Sequence, residues 1–97
     1  MLQLTDKLER SIQRGARAQT LLADPLIAEA KEHVEAEIWR LFKEASPQDA
    51  AAIQHIKAMQ YFHGKYYAFW ERAVRDGKLA EATVEAKKKS IRERIFG

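Results

Sequence analysis

Apolar residues recur every three or four positions through almost the whole chain, and nowhere do they alternate with polar ones in the two-residue rhythm of a strand. The pattern predicts an all-α protein in a single domain over residues 1–97, a small antiparallel bundle of three main helices plus a basic C-terminal helix. The strongest segment is residues 46–77. Ser46 before Pro47 predicts a helix start, because serine accepts an orphan backbone N–H and proline at the first helical position has no N–H to waste. Asp49 then falls in the first turn, where the helix dipole favours negative charge. At about 100° per residue, Ala52, Ile56, Met59, Phe62, Tyr66, Tyr67, Phe69, Trp70, Ala73 and Val74 share one broad arc opposite Gln54, Lys57, Lys65, Glu71, Arg72 and Arg75. Asp76 and Gly77 predict its end, since glycine turns left-handed after a last turn at no steric cost. An arc this wide calls for more than one covering helix.

The preceding segments are narrower. In residues 1–23, Leu4, Leu8, Ile12, Gly15, Gln19 and Leu22 line one side and Lys7, Arg10, Arg14 and Arg17 the other, with Thr5 or Asp6 as cap. Gly15 costs a helix about 1 kcal/mol relative to alanine, so its place on the apolar side predicts that a neighbouring backbone passes close. Ala23-Asp24-Pro25 marks a boundary, and Asp24 caps a second, acidic helix over residues 24–45 with Pro25 at its first position. There Leu26, Ile27, Ala30, Val34, Ile38, Leu41 and Phe42 form a face, while Glu29, Glu32 and Glu35 occupy the far side. Trp39 falls with Glu35, Glu32 and Lys43, out of register with its own apolar set. Either it marks a second contact surface, or it packs beneath the first helix or the tail. The short connection over residues 45–47 predicts an antiparallel hairpin of helices two and three. Gly64 and Ala68 make the polar side of the third helix smooth beside Tyr61, either for another helix to approach or as a tolerated glycine. Residues 78–97 carry only a thin stripe of Ala80, Val84, Ile91 and Ile95, broken by Lys87, Lys88 and Lys89. That segment is either ordered by a partner or docked on its own bundle through Ile91, Ile95 and Phe96.

Charge sharpens this picture. The net +3 is unevenly spread: residues 1–23 carry +2, residues 24–49 carry −4, residues 50–76 carry +2 and residues 77–97 carry +3. Either an acidic helix lies beside basic ones, with the α-helical arginines of the first segment paired to Glu32 and Glu35, or the basic ends meet a polyanion such as nucleic acid. The chain has no cysteine, which removes disulfides, cysteine metal sites and cysteine nucleophiles. No apolar run approaches the roughly 20 residues of a membrane span, so a cytoplasmic or virion-associated protein is expected.

Candidate chemistry is sparse. His63 falls inside the apolar arc and His55 at its edge, two turns apart and unable to share a metal on one straight helix. His33 has Glu29 and Glu37 four residues to either side, but Glu-x-x-His, the pairing of di-iron bundles, does not occur. His63 is expected to be a core histidine hydrogen-bonded to a tyrosine or glutamate. With no phosphate loop, nucleophile elbow or zinc-protease motif, no enzyme activity, cofactor or metal is expected.

Two stretches, ARAQTLLADPL at residues 16–26 and DGKLAEA at residues 76–82, resemble a group of short all-helical proteins of tailed bacteriophages and prophages, and the likeness spans roughly residues 14–82. The resemblance implies a product of the head-assembly and DNA-packaging module, but no set of functional residues comes with it. The expected role is that of a small-terminase-like oligomeric adaptor, partnered by copies of itself, by other phage assembly proteins and by DNA. In that role Arg10, Arg14, Arg17, Lys87, Lys88, Lys89, Arg92 and Arg94 would contact phosphates, and Trp39, Tyr61 and Phe96 would contact protein. The alternative is a pure protein-interaction module, a virion structural component or an inhibitor of a host protein.

Overall fold

A computed structural model describes residues 2–96, with side chains from Thr5 onward. The described residues form three helices and no strand: α1 (Leu2–Ala23), α2 (Pro25–Glu44) and α3 (Ala50–Phe96). The protein is all-α, as its periodicity predicts. The side chain of Leu4, expected on the apolar side of α1, lies outside the described residues.

The break between α1 and α2 follows from one dipeptide. Asp24 is extended, with φ −66° and ψ 123°, its carboxylate accepts the Leu26 N–H at 2.8 Å, and Pro25 begins the helix. Such a cap is worth about 1 kcal/mol. At the other end of α2 the Ala45 N–H reaches back to the Leu41 carbonyl at 3.0 Å.

The other expected boundaries move. Helix α1 begins at Leu2 rather than at Thr5 or Asp6. Leucine and glutamine are good helix formers, and nothing upstream of Thr5 breaks the helix. The start of α3 shifts the other way, from Pro47 to Ala50. Ser46 and Pro47 are spent on a turn: the Asp49 N–H donates to the Ser46 carbonyl at 3.0 Å, with proline at the second position that its fixed φ suits. The true cap is Asp49, whose carboxylate accepts the Ala52 N–H at 3.0 Å and whose carbonyl accepts the Ile53 N–H at 3.1 Å. An ionised carboxylate binds the helix N-terminus more strongly than a hydroxyl does, so the later residue wins.

The largest difference is at Gly77. The helix expected to stop there continues to Phe96, so residues 78–97 do not start a separate helix, and no described glycine has positive φ. Gly77 instead serves a close helix crossing. A Cβ at Gly77 would stand 2.8 Å from the Gly15 Cα and 3.0 Å from the Ser11 carbonyl oxygen. One at Gly15 would stand 2.8 Å from the Gly77 Cα and 2.9 Å from the Ala73 carbonyl oxygen. The close backbone that Gly15 predicts is therefore present, and it belongs to Gly77. What the residue supplies is missing bulk rather than a left-handed turn.

The chain divides into two compact units, one of Met1–Thr20 with Trp70–Gly97 and one of Leu21–Phe69. In the first unit, α1 packs on the later part of α3 through Gly15, Ala18, Ala73, Gly77 and Ala80, all buried and all small. Leu8, Ile12, Trp70, Val74 and Val84 flank them, half-buried. In the second unit Lys31 meets Tyr67, while Glu35 meets His63, so α2 and the early part of α3 run in opposite directions. Ile38 and Ile56 are that unit's buried hydrophobic residues.

Candidate interaction site

Each unit offers α3 a single partner helix, and in the second unit α3 is aromatic on more than the side that α2 covers. Its residues against α2, such as Ile56, His63 and Tyr67, are buried or half-buried, whereas Phe62, Tyr66 and Phe69 are 68%, 59% and 54% exposed. These three continue a regular seam, His55, Met59, Phe62, Tyr66 and Phe69, with alternating steps of four and three residues. Steps of that kind hold a stripe in line along a helix that meets another helix.

Between this seam and α2 runs an open groove of about 600 Å³. Val34, Ile38, Leu41, Met59, Phe62 and Tyr66 supply apolar walls, and all three histidines of the chain, His33, His55 and His63, line it with Glu37. Neither lysine nor arginine is among the lining residues.

The histidines differ in surroundings. His63 Nε2 lies 3.3 Å from Glu35 Oε1, and the ring meets Tyr67 edge-on at 4.9 Å between centroids. This is the glutamate-bonded, half-buried histidine expected from its place in the arc. His33 sits beside Glu37, whose carboxyl is held below its ordinary range, chiefly by the hydrogen bonds from Arg40 and further by the charges of Arg40 and His33. Arg40 also donates to Glu44 at 2.8 Å, and the two carboxylates raise the guanidinium above its ordinary value. Several α2 carboxylates are thus engaged inside this unit: Glu37 and Glu44 by Arg40, Glu35 by His63.

The opposite side of the second unit carries Trp39, 55% exposed and stacked on Phe42 at 5.5 Å, with the Lys43 ammonium 5.8 Å from the indole. Tyr61 is exposed with Lys65 over its ring at 5.4 Å. A second groove beside Trp39 is lined by Glu35, Ile38, Gln60, His63 and Gly64. A Cβ at Gly64 would meet nothing within 4 Å among the described residues beyond its own stretch of helix. Among the expected protein contacts, Trp39 and Tyr61 therefore belong to the second unit and Phe96, at the end of α3, to the first; all three are exposed.

All eight expected phosphate contacts, Arg10, Arg14, Arg17, Lys87, Lys88, Lys89, Arg92 and Arg94, belong to the first unit and are exposed. Lys88 reaches Glu85 at 3.8 Å, one turn away. The first unit holds twelve basic and seven acidic residues, net +5, and the second five basic and seven acidic, net −2.

Phe62, Tyr66 and Phe69 belong to the arc that is too wide for one covering helix, and they are the part of it that α2 leaves exposed. The signal that separates them is already in the chain: two apolar stripes run down α3, and a single partner helix can cover only one. Among the described residues no group of three histidine or acidic side chains could hold a metal, and no helix is long and apolar enough to cross a membrane. Compared with protein families, curated proteins and solved structures, the chain matches none.

Proposed function

We propose that this chain is a non-enzymatic helical assembly protein of phage type, an oligomeric adaptor that touches nucleic-acid phosphates through its first unit and protein through its second. The observation that carries this reading is the sorting of charge and aromatics. The first unit is net +5 with its arginines and lysines exposed, while the second is net −2 and exposes Phe62, Tyr66, Phe69, Trp39 and Tyr61. Clustered cations facing water favour a polyanion, and contacts to phosphates give affinity that falls steeply with salt and carries little sequence information. A DNA-packaging role like that of a small terminase subunit fits both halves.

Titration of duplex DNA at low and moderate salt tests it. Binding is expected at low salt, weakening as salt rises. Replacing Lys87, Lys88 and Lys89 by alanine should lower the salt slope by up to about 3, one per phosphate contact. Absence of binding even at low salt removes the nucleic-acid half. The exposed aromatic face favours a second reading, a pure protein-interaction module, under which the triple replacement changes neither DNA affinity nor assembly.

A further inference from the structure

We infer that the groove and seam of the second unit are the contact between two copies of this chain, each α2–α3 hairpin closing the other into a four-helix arrangement about a two-fold axis near Phe62. This rests on the assembly half of the reading above and not on its nucleic-acid half. The spacing calls for a helical occupant: His55, Met59, Phe62, Tyr66 and Phe69 keep steps of four and three residues along α3, with Val34 and Leu41 on the α2 side.

Charge selects among helical occupants. A cationic helix would find Glu37 as the one carboxylate in the lining, and Arg40 already holds it. An acidic helix would find no lysine or arginine there. A face as nearly neutral as the groove itself suits it best, and a second copy presents one. The exposed aromatic rings supply a substantial part of the area. Aromatic side chains offer ~150–250 Å² each, so the exposed parts of Phe62, Tyr66 and Phe69 alone contribute roughly 300 Å², before Val34, His33, His55, Leu41 and Met59 add theirs toward the roughly 800 Å² per partner of a stable complex. A two-fold contact buries the same patch on both chains in one event.

Sedimentation equilibrium of the full chain over a range of concentrations tests this together with single-cysteine cross-linking, which the absence of native cysteine makes unambiguous. The expected mass is twice 11.2 kDa. Phe62→Asp should weaken the dimer at least about tenfold, as loss of a central aromatic anchor does, with helical content by circular dichroism unchanged because the ring is 68% exposed within its own chain. On mild oxidation Phe62→Cys should cross-link to a dimer and Ile91→Cys, in the other unit, should not. A monomer at every concentration, an undiminished Phe62→Asp dimer, or cross-linking through position 91 and not 62 overturns the inference. Neither arm measures DNA binding, so a chain that dimerises but ignores DNA loses only the nucleic-acid half of the proposed function.

Discussion

The two units use one helix in opposite ways. Where α1 meets α3, the contact is built from what is missing: Gly15, Ala18, Ala73, Gly77 and Ala80 have little or no side chain, and backbones come together over the Gly15–Gly77 pair. Where α2 meets α3, the contact is built from bulk, with Ile38 and Ile56 buried and an aromatic seam left over beside them. A close crossing of small residues fills its own interface, and the large apolar residues that its unit exposes, Leu79, Ile91, Ile95 and Phe96, stand outside that buried set. A hairpin of large residues cannot close over them all, so one stripe of α3 holds the unit together and the other stays exposed. The difference separates a contact of backbones from a contact of side chains.

The comparison can be broken from the second unit first. Ile56→Ala removes most of a side chain that is 4% exposed, and such truncations cost about 2–5 kcal/mol. Hydrogen exchange should then show loss of protection in α2 with the amides of α1 spared. The mirror experiment is Gly77→Ala. The added methyl meets the Gly15 Cα at 2.8 Å and a carbonyl oxygen at 3.0 Å, neither of which can swing aside. Overpacking costs about 1–3 kcal/mol, offset by about 1 kcal/mol of helix propensity. Net destabilisation with faster exchange in α1 is expected, and a stabilised protein would show that the crossing is looser than described.

Gly64→Ala sharpens the point, because the chemistry is identical and the sign is reversed. With nothing within 4 Å of the new methyl, only helix propensity changes, and the melting midpoint should rise by the equivalent of about 0.5–1 kcal/mol. The smallest effect concerns Glu37. Its carboxyl is depressed, first by the hydrogen bonds from Arg40 and then by charge, so its contribution is present at neutral pH and is lost as pH falls through the depressed value. Arg40→Ala should let the carboxyl titrate nearer its ordinary range, as carbon-detected NMR would show, and should flatten the acid limb of the stability profile only slightly, since exposed ion pairs are weak.

Much was legible in the chain. Helical periodicity, the Asp24-Pro25 break and the hairpin between α2 and α3 follow from local rules, because caps, proline and a three-or-four-residue rhythm act within one or two turns. His63 was legible too: a histidine inside an apolar arc needs a polar partner, and Glu35 supplies it. Gly15 announces a close approach because it is a glycine on the apolar side of its helix, whereas Gly64, on the polar side of α3, has no such neighbour. The partner glycine is not legible in this way. Read alone, Asp76-Gly77 is a helix stop, and only the backbone of α1 lying against it turns the missing side chain into a crossing point.

The sequence by itself determined that this protein is helical, where α2 begins, and that both ends of the chain carry net positive charge around an acidic second segment. Only the tertiary structure decided that α3 passes through Gly77 unbroken, that Asp49 and not Ser46 caps it, and that Phe62, Tyr66 and Phe69 face outward while Ile56 faces in. The physical reason is that periodicity gives the angular position of a side chain around its own axis but not which angles a neighbour occupies. A stripe is core or surface according to where the next helix lies, and that is a property of the pair.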